Sequence, residues 1–120
     1  MNIDVFYNLG QIRPIALSLP GVKEGTCYGT PAFYAGKKLF ARLREEGDVL
    51  VLYTFERDIW MKKDPQTFYI TDHYKNHPYM LVALNTVAKK DLTELITQAW
   101  KARASKKLLN EWEDIAGKRQ

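Results

Sequence analysis

Cysteine is nearly absent from this chain: Cys27 stands alone among 120 residues, so no disulfide can close within it. That favours a reducing compartment. No apolar run approaches the ~20 residues needed to span a bilayer. The start, Met1-Asn2-Ile3-Asp4, has neither the basic stretch nor the apolar core of a secretion signal. The expectation is a cytoplasmic protein with no membrane partner. Histidine is scarce too, with only His73 and His77. They are four apart, but the loop that holds them ends at Pro78, and neither a third histidine nor a nearby cysteine completes a set of metal ligands. No metal and no cofactor are therefore expected. Gly25 and Gly29-Thr30 lack the Gly-Lys-Ser/Thr ending and the strand-to-helix setting of a phosphate loop. Linkers, repeats and low-complexity stretches are missing as well, so residues 1–120 read as one domain.

What the chain does have is core material. Hydrophobic residues make up 46% of it, with three Trp, seven Tyr and five Phe, and each buried aromatic removes a large area from water. Net charge is +4. Residues 1–60 balance seven basic against seven acidic side chains, and residues 61–120 carry eleven against seven, so the whole excess lies in the second half. Such a surplus suits an acidic partner such as nucleic acid.

Residues 2–18 read as a helix with Ile3, Phe6, Tyr7, Ile12 and Ile15 toward one face, ended by Leu19-Pro20-Gly21. Three strands are expected next. The first covers about Cys27 to Ala35, on an edge or bulged because of Pro31. The second covers Lys38 to Arg44 and the third Val49 to Thr54, joined by the loop Glu45-Glu46-Gly47-Asp48. A short helix, Phe55 to Lys63, stops at Asp64-Pro65. Two further strands, Thr67–Thr71 and Tyr79–Leu84, flank the polar loop 72–78. Asp91 and Glu94 have the spacing of a capping box. Leu92, Leu95, Ile96, Ala99 and Arg103 then share a helical face, and Ser105 to Ala116 buries Leu108, Leu109, Trp112 and Ile115 as a kinked continuation or a second helix. The expected fold is α+β and two-layered: a five-stranded antiparallel sheet with helices on one face, in the order α-β-β-β-α-β-β-α(α).

On the second expected strand, Leu39, Ala41 and Leu43 alternate with Lys38, Phe40, Arg42 and Arg44. If helices cover the first set, the second lines an open sheet face on which an anionic chain could dock. Lys101, Arg103, Lys106 and Lys107 form a second basic locus, with no acid between Glu94 and Glu111. Tyrosines 28, 34, 53, 69, 74 and 79 are spread over strands and the histidine loop.

Four stretches, in order, resemble the MmcQ/YjbR family of small bacterial proteins. They are Leu19-Pro20-Gly21-Val22 with Tyr28-Gly29-Thr30-Pro31-Ala32-Phe33; Lys38-Leu39-Phe40-Ala41; Pro65 and Phe68 with His73-Tyr74 and Pro78-Tyr79; and Ala99-Trp100 with Arg103-Ala104. The resemblance spans about residues 2–109. It implies an antiparallel α+β fold similar in layout to secretion chaperones, with a sheet likened to a "double wing" DNA-binding surface. The sequence departs from the family pattern at Tyr79, where Trp is more usual, and at Ser105, where Pro is frequent.

The functional expectation is a non-catalytic DNA-binding domain. Lys37, Lys38, Arg42, Arg44, Lys101, Arg103, Lys106 and Lys107 would neutralise phosphates without reading bases. One alternative is a protein- or peptide-binding adaptor resembling a secretion chaperone. Another is a small-molecule site built on Tyr28, His73, Tyr74 and Tyr79. No catalytic residues are assigned. Cys27 matches no nucleophile motif and reads as a small hydrophobe, and Asp91 and Glu94 read as helix-capping residues.

Overall fold

Apolar and polar residues alternate in the middle of the chain and recur at helical spacing toward its ends, and the fold follows that division. The computed structural model describes residues 3–118. The elements run α1 (Ile3–Ala16), β1 (Val22–Cys27), β2 (Thr30–Ala35), β3 (Lys38–Leu43), β4 (Val49–Tyr53), α2 (Arg57–Lys63) and β5 (Phe68–Tyr69). A 3-10 turn (Asp72–Tyr74), β6 (Tyr79–Ala83), α3 (Lys89–Arg103) and α4 (Lys106–Lys118) complete the chain. The sheet is antiparallel throughout, in the order β1-β2-β3-β4-β6-β5. Among the described residues no helix is long and apolar enough to cross a membrane.

The sheet has six strands rather than the expected five. The extra one is β1, whose sequence Val-Lys-Glu-Gly-Thr-Cys is exposed at its four central residues. A polar edge strand with neither face buried shows no alternation, so its sequence gave no strand signal. The expected first strand began at Cys27, but Tyr28 and Gly29 form the tight turn between β1 and β2. Both have positive φ, 53° and 78°, as a type I′ hairpin requires. Pro31 is not on an edge, since β2 lies between β1 and β3. It is tolerated because the β2–β3 ladder begins one residue later, at Ala32 opposite Arg42. The expected strand Thr67–Thr71 shrinks to Phe68–Tyr69.

Two cross-strand rows define the helix-covered face. Phe33, Ala41, Leu52 and Met80 face one another across β2, β3, β4 and β6, and Leu43, Leu50, Val82 and Phe68 do so across β3, β4, β6 and β5. All eight are buried in one core with Val5, Leu9, Ile12 and Ala16 of α1, Trp60 of α2, and Leu92, Leu95, Ile96, Ala99 and Trp100 of α3. The buried side of α1 therefore differs from the expected one: Phe6 and Tyr7 are exposed. Asn2, the expected first helical residue, lies outside the described residues.

The strict alternation expected along β3 is also broken. Phe33 faces Ala41 but Tyr34 faces Leu39, so Phe40 is an extra residue in a bulge. Phe40 turns into the core, where it is 0% exposed. Leu39 is thereby carried to the opposite face, together with Arg42.

The two C-terminal helices are separate. Ala104 is extended at φ −69° and ψ 146°, and the Leu108 N–H donates to Ser105 Oγ at 3.3 Å, starting α4 anew. Leu108, Leu109 and Trp112 pack on the core as expected, whereas Ile115 is exposed. The capping-box reading of Asp91 and Glu94 fails. α3 starts two residues before Asp91, with Ala88 at its N-cap and no side-chain cap bond. Asp91 instead sits in the first turn, where its charge complements the helix dipole, and it pairs with Lys63 at 3.5 Å.

Candidate functional site

The second face of the sheet carries its own row: Ala32, Arg42, Val51, Leu81 and Tyr69, opposite one another across five strands. Helices do not cover this row. The loop between β5 and β6 folds back over part of it and leaves a cavity of about 220 Å³. Leu39, Arg42, Val51 and Tyr79 come from the strands, Cys27 and Tyr28 from the β1–β2 hairpin, and His73, Tyr74 and His77 from the covering loop.

Arg57, the first residue of α2, holds that loop in place. Its Nη1 donates to the carbonyls of Tyr74 (2.8 Å), His77 (2.6 Å) and Tyr79 (3.0 Å), and its Nη2 donates to that of Lys75 (2.6 Å). A seven-residue polar loop has little secondary structure of its own, so its carbonyls need outside donors. One planar guanidinium supplies them in a fixed fork. The Thr54 N–H adds a bond to the Pro78 carbonyl at 2.9 Å.

Arg42 is half-buried in the cavity wall. Its Nη2 donates to Tyr74 Oη at 3.1 Å, and its guanidinium lies 5.5 Å from the centre of the Tyr28 ring. Among the described residues no carboxylate lines the cavity. Tyr28 is 86% exposed, an unusual position for a large aromatic in a left-handed turn conformation. His73 stands edge-on to Tyr74 with ring centres 4.7 Å apart and lies 6.2 Å from His77. Tyr79 packs edge-on against Tyr53 at 5.3 Å. Its burial pushes the phenol up from its ordinary value, with nearby Arg103 opposing that shift.

All four residues expected to form a ligand site, Tyr28, His73, Tyr74 and Tyr79, thus line one cavity. His77 joins them, although the metal reading of the two histidines lacks partners: among the described residues no group of three or more His, Cys, Asp or Glu could hold a metal ion. Sequence reasoning missed Arg57 altogether. The only local sign of it was a polar loop in need of donors.

The basic residues divide. Arg42 does not project from an open face, because the Tyr74 turn covers it. Arg44, past the end of β3, is half-buried. Lys37 and Lys38 are exposed at the β2–β3 turn. Arg103 Nε donates to the Leu39 carbonyl at 3.1 Å, and its guanidinium sits 4.7 Å from the Tyr53 ring centre. This bond seats the end of α3 beside the start of β3, so exposed Lys101, Lys106 and Lys107 belong to the same end of the molecule as Lys37 and Lys38. Lys101 is itself drawn over the Trp112 ring at 4.1 Å.

A model of the YjbR family matches residues 17–102. The chain belongs to the YjbR family. The match includes every cavity-lining residue and Arg57, while Lys106 and Lys107 fall beyond it. A crystal structure of a Deinococcus radiodurans protein of domain family DUF419 has a similar fold, with a TM-score of 0.70 over 86% of each chain at 21% identity. Uncharacterized proteins of Mycobacterium tuberculosis and Mycobacterium bovis are 39% identical over 46 residues, 38% of this chain. That alignment spans only 36% of the relatives' own length. The family membership and the structural likeness account for the fold; neither assigns a chemistry to the cavity.

Proposed function

We propose that this YjbR-family chain is a non-catalytic binding domain whose ligand site is the cavity over the β3–β4–β6 face. The carrying observation is convergence: three separated segments bring Cys27, Tyr28, Arg42, His73, Tyr74, His77 and Tyr79 around one hollow, and a dedicated guanidinium clamps the segment that covers it. Apolar walls with a few converging polar groups are the usual composition of a ligand site. At about 220 Å³ the hollow falls below the ~300–1,000 Å³ of drug-sized clefts, so it suits a small molecule or one protruding group. A fragment screen by ¹H–¹⁵N NMR tests the proposal. Fragments should shift amides of Cys27, His73, His77 and Tyr79 together. A screen whose hits leave those four unmoved removes the reading.

One observation favours a second reading, weak sequence-tolerant DNA binding. The bond from Arg103 to the Leu39 carbonyl joins the two basic loci at one end of the molecule. Non-specific phosphate contacts of this kind give dissociation constants of ~10⁻⁴–10⁻⁶ M at physiological salt. Anisotropy titration of a labelled duplex at two salt concentrations checks it. Binding that is salt-steep, and lost on replacing Lys37, Lys38, Lys101, Lys106 and Lys107 with Ala, supports it; no salt-sensitive binding at low ionic strength ends it.

A further inference from the structure

We infer that the cavity is built for a small planar aromatic anion whose charged group sits on Arg42; this rests on the ligand-site reading above. Arg42 is a half-buried cation facing a hollow with no carboxylate in its lining. Its hydrogen bonds within the described residues go to neutral acceptors, Tyr74 Oη at 3.1 Å and the Leu43 carbonyl at 3.5 Å. A half-buried guanidinium whose partners are all neutral keeps its full charge toward the hollow, and an incoming anion would form a charge-assisted hydrogen bond with it. Tyr74 strengthens the case. Its hydroxyl oxygen accepts from Arg42, so its own proton remains available to an anion held beside the guanidinium. Tyr79 adds a second phenol to the lining, its value pushed up from the ordinary one by burial, and a neutral phenol can donate to an anion. His73 and His77 add two imidazoles on the covering side and no acid.

The rest of the lining selects for a ring. Leu39 and Val51 give an apolar floor, and Tyr28, Tyr74 and Tyr79 give aromatic walls. Offset or edge contacts with such rings are worth more to a planar aromatic than to an aliphatic chain. The volume, about 220 Å³, accommodates a single ring with one charged substituent.

The experiment titrates the full chain with benzoate, its neutral isostere benzamide and inorganic phosphate, read by NMR shifts and by thermal melting. Benzoate should shift the amides of Cys27, His73, His77 and Tyr79 and bind at least tenfold more tightly than benzamide. Arg42→Gln should erase that preference while leaving the melting temperature of the free protein near the parent value, and Arg42→Lys should restore part of it. Benzamide binding as tightly as benzoate in the cavity overturns the anion assignment and leaves the ligand site standing. Inorganic phosphate matching benzoate overturns the aromatic part. Benzoate shifts confined to surface lysines outside the cavity overturn the inference entirely. If no probe or fragment moves the cavity amides, both this inference and the ligand-site reading fall.

Discussion

Arg57→Ala should loosen the covering loop and lower stability by about 2–4 kcal/mol. The guanidinium reaches four carbonyls, three of them from Nη1. Nη1 has two protons, so about three full-strength bonds exist at once. Hydrogen bonds to a charged group are each worth roughly 1.5–3 kcal/mol, which makes the gross loss large. Much of it is recovered, because Lys75, Asn76 and His77 are exposed and their segment can bond to water once the arginine is gone. For a 120-residue domain the unfolding entropy is about 250 cal/mol/K, so each kcal/mol moves the midpoint by about 4 °C. The expected drop is therefore about 8–16 °C by calorimetry, with amide exchange speeding up first in residues 72–78. Arg57→Lys should recover only part of the loss, since an ammonium cannot present a planar fork. A melting point within about 2 °C of the parent, with loop amides as protected as before, would refute the clamp.

Trp100→Ala should cost about 3–5 kcal/mol, because the ring is fully buried and its Nε1 donates to the Pro20 carbonyl at 3.0 Å. Trp112→Ala, half-buried beneath Lys101, should cost clearly less, and equal denaturant midpoints for the two variants would contradict the packing. Tyr28→Asn should raise stability by roughly 0.5–1 kcal/mol, since Asn is favoured at positive φ in a type I′ turn, while weakening any ligand of the cavity; a lower melting point would count against strain at Tyr28. The Asp64 carboxyl is held below the ordinary carboxylate value, chiefly by the hydrogen bond from the Thr67 hydroxyl at 2.6 Å. The stability this gives is present above the unfolded-state value and is lost as pH falls through the lowered folded value. Thr67→Val should raise the Asp64 titration midpoint toward normal in a carbon-detected NMR titration, and an unchanged midpoint would show that the hydroxyl is not its cause.

Local patterns in the sequence determined much of this molecule. The apolar spacing of Leu92, Leu95, Ile96 and Ala99 wrote α3, the Glu45–Asp48 loop between two alternating runs wrote the β3–β4 hairpin, and the ordered motifs from Leu19 to Ala104 carried the YjbR resemblance. Each of these signals lies within one element or in the order of motifs along the chain. Tertiary structure decided the rest. The polar strand β1 exists only because β2 offers it a partner. The bulge at Phe40 arises from register with β2, and it exchanges Phe40 for Leu39 between core and cavity. Whether Arg42 meets solvent or a tyrosine depends on a loop some thirty residues later, and that loop keeps its path because Arg57 reaches carbonyls 17 to 22 residues away. Side-chain direction in a strand follows from alternation until a bulge resets it, and a loop without periodicity takes its shape from whatever donors the fold brings to it.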